Sequence, residues 1–224
     1  MMRTTVTASP RSTPDAVTDS LRSAILSGAI AGGAPLKQND VAAQFGVSIV
    51  PVREAFQRLV AEGLAEHRPN RGVLVTALTD ADLTEIAELR TLLEPHALRL
   101  SAPHLSPSDL AKAEAVLHRA AGTDDLLERA RLHWEFHHAL YARAERPRLL
   151  DQLGLLHTSL SRCLLPAWSR VGISSGWVGS HMQIVSAIRQ QDVDTACKEI
   201  VRQIADAAER MRHDLIQIPK GRTP

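Results

Sequence analysis

The stretch from residue 40 to residue 76 constrains the fold most, because two short helical patterns meet there at a tight turn and lead into a hairpin signal. A helix predicted over Asp40–Phe45 is broken by Gly46, and Ser48 stands where it can cap a second helix that ends at Gly63. Apolar side chains at helical spacing give this second helix one inward face: Val52, Phe56, Leu59 and Val60. The segment therefore predicts a helix-turn-helix.

The residues on either side extend this unit. An amphipathic helix is predicted from about Pro14 to Gly28, and strand-like stretches over 64–67 and 73–76 flank the turn signal Pro69-Asn70-Arg71-Gly72. Together these elements predict a winged helix-turn-helix domain over residues 13–77. Residues 1–12 are rich in Ser, Thr and Arg without periodicity, and we expect them to form a disordered arm.

Beyond Ala77 the pattern is purely helical. Six helices are predicted near 80–103, 107–121, 124–144, 147–167, 176–190 and 192–215. Capping residues mark three of the starts: Thr79 with Asp82, Ser106 with Asp109, and Thr123 with Asp124. Short connections between helices imply antiparallel neighbours. The predicted fold is mostly α, with the winged helix-turn-helix followed by an all-α antiparallel helical bundle over residues 78–218.

Composition limits the kinds of fold and partner that this chain can have. Aromatic residues make up 3% of the chain, which favours aliphatic helix packing over a β-sandwich. The net charge of +1 neither requires nor excludes a nucleic-acid partner. No stretch approaches the roughly 18 apolar residues of a membrane span, and no signal peptide pattern opens the chain, so we expect a cytoplasmic protein without a membrane partner. Cys163 and Cys197 lie in aliphatic helical patterns and are predicted to be core residues.

The helix-turn-helix segment carries a family resemblance. Residues 46–59 read GVSIVPVREAFQRL and are followed by Glu62-Gly63-Leu64 and Asn70-Arg71-Gly72. This resembles the GntR family of transcription regulators, whose usual pattern is close to GVSRTPVREALRRL, then EGL and NRG. The resemblance implies that the first domain binds double-stranded operator DNA.

Arg53 is the predicted base-reading residue, since its guanidinium can grip O6 and N7 of a guanine. The alternative for Arg53 is a surface salt bridge. Ser48 places the amides of the helix start against phosphate. Arg58, further along the helix, contacts either the DNA backbone or only solvent.

In the wing, Arg68 and Arg71 flank a turn where a basic residue can reach the minor groove or a phosphate, and Gly72 shapes that turn. One departure from the family follows the capping Ser48, where Ile49 and Val50 replace Arg and Thr. Ile49 cannot donate to a base or phosphate, although it can touch a thymine methyl. We therefore expect a different sequence preference or affinity.

In the helical half, polar side chains interrupt the apolar stripes of four helices. Arg90 lies in the stripe of the first helix of the bundle, and His133 and His137 lie one turn apart on the third. His181 lies on the fifth stripe and Gln203 on the last. A single inward histidine is usually a core residue, but three convergent imidazoles are what a divalent transition metal requires.

From about residue 83 to 211 the chain looks like the FCD ligand-binding domain of FadR-type GntR regulators. Arg90 and Glu94 match an Arg-x-x-x-Glu pattern, while Phe136-His137 and His181 match two positions of the metal motif. In that family an Asp and three His hold zinc or nickel, and open metal positions receive a small carboxylate effector. Here His133 stands at the Asp position and Gln203 at the last His position.

Two sites remain open on these residues. A zinc site from His133, His137 and His181 with an open fourth position is chemically sound. A metal-free pocket in which Arg90 and Gln203 hydrogen-bond a small organic acid is equally compatible. For Arg90 there is a further alternative, an internal pair with Glu94 that only shapes the helix.

One segment of the helical half has a partial likeness to a catalytic motif. Residues 133–137 read HWEFH, superficially like the zinc-protease motif H-E-x-x-H, but Glu135 is one place too late to act as the base beside a metal-bound water. No nucleophile elbow, phosphate loop or dinucleotide fingerprint is present. We therefore expect a regulator and not an enzyme: a homodimer on a pseudo-palindromic operator, controlled by an effector. The alternative is a metal- or metabolite-binding module without a specific DNA role.

Overall fold

The computed structural model describes residues 13–171 and 176–216. Within them the fold is mostly α, with a small sheet near the N-terminus, as predicted. Contacts divide the chain into two units, one ending at Thr76 and the other beginning at Ala77, to which a short piece at Leu26–Gly28 also belongs. The predicted arm at residues 1–12 lies outside the described residues.

The first unit is a three-helix, three-strand domain. Its elements are α1 (Thr13–Leu26), β1 (Pro35–Leu36), α2 (Gln38–Phe45), α3 (Ile49–Ala61), β2 (Ala65–Arg68) and β3 (Gly72–Val75). The antiparallel sheet has the order β1-β3-β2, and Glu66 pairs with Leu74 in the hairpin. The sequence pattern did not predict β1, because two residues are too few to show alternation.

The turn between α2 and α3 follows from Gly46, which has a φ of 64° and ends α2 in the left-handed conformation that glycine adopts without steric cost. Ser48 then occupies the N-cap position of α3 in an extended conformation, but its side chain makes no capping hydrogen bond. Asn70 and Gly72, with φ of 60° and 75°, supply the backbone of the wing turn.

The second unit is a bundle of six helices. These are α4 (Asp80–Ser101), α5 (Pro107–Gly122), α6 (Leu126–Tyr141), α7 (Pro147–Val171), α8 (Trp177–Arg189) and α9 (Val193–Ile216). Capping boxes at Thr79 and Ser106 are confirmed. The predicted cap at Thr123 with Asp124 is wrong: the Asp125 carboxylate accepts from the first amides of α6, and Thr123 ends α5.

Aliphatic side chains and a few rings fill the bundle interior. Leu98, Leu117, Phe136, Tyr141 and Ile184 are completely buried. Cys197 is a buried free thiol, whereas the side chain of Cys163 lies outside the described residues. Among the described helices, none is both long and apolar enough to cross a membrane.

Candidate functional site

The first turn of α3 presents an unusual combination of side chains. Ile49 and Val50 are 41% and 62% exposed, and Arg53 is exposed one turn further along. Across the described residues no carboxylate lies within ion-pair distance of Arg53 or Arg71, so neither side chain is engaged in a salt bridge. Both guanidinium groups are available to an external partner.

The other two arginines predicted to contact DNA have intramolecular partners. Arg58 donates to Asp15 of α1, and the neighbouring carboxylate raises its pKa. Arg68 donates from Nε to Oε1 of Glu66 at 2.8 Å. Both pairs are exposed, so they are weak and can exchange for phosphate contacts.

The bundle brings together the three histidines that the helical stripes singled out. Nε2 of His133 lies 3.1 Å from Nε2 of His181 and 3.2 Å from Nε2 of His137. The ligand atoms of all three lie within 4.8 Å of one another. His133 and His137 come from successive turns of α6, and α8 supplies His181, so two packed helices build the cluster.

Hydrogen bonds on the far side of two rings orient them toward this point. Nδ1 of His181 lies 2.7 Å from the Trp177 carbonyl, to which it must donate. Nδ1 of His137 lies 3.3 Å from the Tyr141 hydroxyl, which itself donates to Oε2 of Glu94 at 2.7 Å. His137 therefore donates to the phenol oxygen. In both rings the Nε2 lone pair then faces the cluster, as a metal ligand requires.

Glu94 of α4 is the centre of a hydrogen-bond network next to the histidines. Its carboxylate accepts from Nε of Arg90 at 2.6 Å and from Nε2 of His157 of α7 at 3.1 Å, in addition to Tyr141. Burial alone would raise the pKa of Glu94, but Arg90 and His157 together hold it well below its usual range. Glu94 is thus a buried carboxylate whose charge is matched by Arg90.

The imidazoles themselves are neutral. Burial lowers the pKa of His181 to about 4, and burial also lowers the pKa values of His133, His137 and His157. A neutral imidazole can offer its lone pair to a metal at neutral pH without first losing a proton.

Gln203 of α9 contacts the backbone of α8 one residue before His181. Its Nε2 donates to the carbonyl of Ser180 at 2.7 Å, next to His181. Its Oε1 is buried and has no hydrogen-bond partner within the described part of the chain. An amide oxygen in this state is a candidate acceptor for a ligand that enters the site.

These donor atoms fit a divalent metal. Tetrahedral zinc with Zn–N bonds of about 2.0–2.1 Å requires ligand nitrogens a little over 3 Å apart, close to the two separations around His133. Without a cation, a single proton on Nε2 of His133 can be donated to Nε2 of His137 or to Nε2 of His181, but not to both. A cation at the centre satisfies all three nitrogens at once.

Comparison with known proteins gives the family. The model described as "Bacterial regulatory proteins, gntR family" matches residues 13–75, and the FCD domain model matches residues 85–206. The chain belongs to the GntR family, with the FadR-type architecture. The chain is therefore a DNA-binding transcription regulator, with the gntR match in the first unit and the FCD match in the bundle.

Individual GntR relatives agree. The chain is 31% identical over 183 residues to the "Probable D-xylose utilization operon transcriptional repressor" of Paenarthrobacter nicotinovorans, covering 81% of this chain and 80% of that protein. It is 28% identical over 198 residues to the repressor RspR of Escherichia coli, covering 86% of each. The solved structure of E. coli McbR/YncC has the same fold, with a TM-score of 0.75, 23% identity, and coverage of 92% of this chain and 100% of that one.

Sequence reasoning missed two members of the buried network. Tyr141 is one turn beyond His137, so the i, i+4, i+8 spacing from His133 already aligned all three. His157 stands between the buried Leu153 and Leu160, where the same spacing marks it as inward. The sequence pattern predicts Glu94 only as a partner for Arg90, because the bonds of Glu94 to Tyr141 and His157 depend on the packing of separate helices.

Proposed function

We propose that this GntR regulator controls operator affinity through a small carboxylate effector bound in the helical bundle, with a divalent metal on His133, His137 and His181. The observation that carries the proposal is the convergence of three Nε2 atoms, with the rings of His137 and His181 already oriented by hydrogen bonds at their outer nitrogens. We infer a regulatory role without catalysis, in the cytoplasm where its operator is found.

Zinc or nickel would be held by the three imidazoles, leaving at least one position open. When bound, the metal supplies a Lewis-acidic site for a carboxylate oxygen. Around that position, Gln203 offers an unpartnered acceptor to a hydroxyl or protonated oxygen of the effector. Arg90 has N–H donors beyond the Nε–H used by Glu94, and these can orient the carboxylate.

We further propose that the functional form is a symmetric homodimer, which reads two half-sites. A second copy would cover the exposed leucines of α4 and α7, of which Leu92 is 70% exposed. Glu88 is exposed on α4, and His96 lies two turns further along the same helix. His96 and the exposed Arg148 of α7 line one groove. A two-fold axis across α4 would set Glu88 of one copy against Arg148 of the other.

A native mass spectrum of the full chain, purified without chelator and exposed to zinc or nickel, tests these proposals together. We expect a dimer that carries about one metal per subunit, the stoichiometry of a three-histidine site. His137→Ala should remove the metal, whereas His138→Ala should retain it, because His138 is exposed on the same helix. Leu92→Glu should yield monomers that still hold metal.

Binding of a fluorescent operator duplex, with and without small carboxylates, connects the site to DNA. The metal-loaded wild type should change its affinity for the duplex when acid is added, and His137→Ala should not. Absence of metal after zinc exposure would favour the metal-free pocket of Arg90 and Gln203. A metal-bearing protein that binds no duplex would support the alternative of a metabolite-binding module.

A further inference from the structure

The first turn of α3, the second helix of the helix-turn-helix, carries an exposed apolar pair, Ile49 and Val50. We propose that this pair reads the C5-methyl groups of thymines in the major groove, beside the base that Arg53 contacts. The inference rests on operator binding by α3. It assigns to this chain a determinant of sequence specificity in place of the polar residues typical of the family.

The exposure of the two side chains has no structural explanation within the domain. The inward face of α3 is complete without them, since Val52, Ala55, Phe56 and Leu59 are buried. Among the described residues of the first unit, Ile49 and Val50 are the large hydrophobic side chains that remain exposed. The other exposed ones lie on α4 and α7. Two adjacent exposed apolar side chains at the start of this helix are available for contact with a partner.

The chemistry of the pair selects one feature of the DNA. Neither side chain donates or accepts a hydrogen bond, so neither can contact a phosphate oxygen or the O6 and N7 of guanine. The thymine methyl is the apolar group that the major groove displays. Both side chains are β-branched and therefore stiff at χ1, which limits the entropy lost when they are immobilised against a methyl group.

Position along the helix links the pair to Arg53. Ile49 and Val50 precede Arg53 by four and three residues, so the three side chains are neighbours on the surface of α3. Because Arg53 is free of any salt bridge within the described residues, it can reach a guanine from the same face. One helical turn advances about 5.4 Å, so the thymine should lie one or two base steps from that guanine.

The test uses DNA that lacks the methyl group. A duplex is selected by the full chain from a randomised pool, and each thymine is then replaced singly by deoxyuridine, which keeps base pairing but lacks the C5-methyl. We expect wild-type affinity to fall about threefold to fivefold at the thymine next to the guanine in each half-site, the loss for one apolar methyl contact. Deoxyuridine elsewhere should have little effect.

The matched protein variants locate the contact. Ile49→Ala/Val50→Ala should bind the thymine duplex more weakly and respond little to deoxyuridine at the same position, which is the coupling expected of a direct contact. Val60→Ala, on the last turn of α3, should keep the full wild-type response to deoxyuridine. Circular dichroism and metal content should be unchanged in all variants.

Three results would overturn the inference, and they are distinguishable. Wild-type binding that is indifferent to every deoxyuridine substitution, with operator affinity intact, would refute methyl reading while leaving the proposed regulator in place. Failure of the chain to select any duplex would refute operator binding and the inference with it. If deoxyuridine weakens binding of the double variant as much as it weakens binding of the wild type, a residue other than Ile49 and Val50 contacts the methyl group.

Discussion

Glu94 shows how much one buried residue organises in this chain. It is completely buried and accepts hydrogen bonds from Arg90, Tyr141 and His157, which belong to three different helices. Through Tyr141 it also fixes the orientation of His137. A buried carboxylate with several donors stabilises a structure only while its partners are all present.

Removing the cation from this network should therefore be costly. Arg90→Met leaves the Glu94 carboxylate buried without its compensating charge, and we expect a loss of about 3–5 kcal/mol in the free energy of unfolding. Denaturant unfolding of the protein without added acid measures this loss. The double variant Arg90→Met/Glu94→Gln should recover much of it, because the unpaired charge is removed as well.

The same variants distinguish the two roles of Arg90. An unchanged unfolding free energy in Arg90→Met would contradict a structural role for the Arg90–Glu94 pair. If Arg90 also binds the effector, the double variant should lose the thermal shift produced by organic acids. If the double variant keeps the thermal shift, Arg90 has only a structural role in α4.

The sequence could predict which side chains face inward but not which of them meet. Helical spacing selected Arg90, His133, His137, His181 and Gln203 one helix at a time, and the structure brings the three histidines together. The bonds from Glu94 to Tyr141 and His157 cross between helices far apart in sequence. Such contacts depend on helix rotation and crossing angle, which local periodicity does not determine.

At the scale of elements, helix starts were the most predictable feature where a single capping residue was available. Thr79 and Ser106 each form a full capping box. The sequence Thr123-Asp124-Asp125 offers three residues able to cap, and the pattern could not choose among them. The wing hairpin was predicted within a residue or two, because its turn residues need a positive φ that Asn and Gly tolerate.

The capping boxes allow a matched mutational comparison. Thr79→Ala should lower the free energy of unfolding of the bundle by about 1 kcal/mol, and Ser106→Ala should have a similar effect, since each removes a bond to a helix amide. Ser48→Ala should change stability much less, because the Ser48 hydroxyl makes no capping bond in α3. Thermal unfolding compares the three. Equal losses at all three sites would contradict this assignment.

At the scale of the whole molecule, the buried imidazoles make stability depend on pH. The folded-state pKa of His181 is lowered to about 4 by burial, and the pKa values of His133, His137 and His157 are lowered in the same direction. In the unfolded chain these groups take up protons near pH 6.5. Their stabilising contribution is therefore complete above pH 6.5 and is lost as the pH falls toward 4.

Metal-free protein should accordingly show a melting temperature that falls as the pH is lowered from about 6.5 to 4, where unfolding takes up protons. His181→Asn should flatten this dependence, whereas His138→Ala should leave it unchanged because His138 is exposed. Differential scanning calorimetry across this pH range makes the measurement. A melting temperature that is constant between pH 7 and pH 5 would contradict the neutral state of the imidazoles.

The pairing of Arg90 with Glu94 also sets the electrostatic balance of the bundle interior. Across the described residues of this network, one positive and one negative charge cancel and the four imidazoles are neutral, so the metal-free network carries no net charge. A divalent ion would then be an uncompensated charge in a medium that screens poorly. An anionic effector would act as the counter-ion that this ion requires, so metal and effector should bind cooperatively, each raising the affinity of the bundle for the other by the same factor.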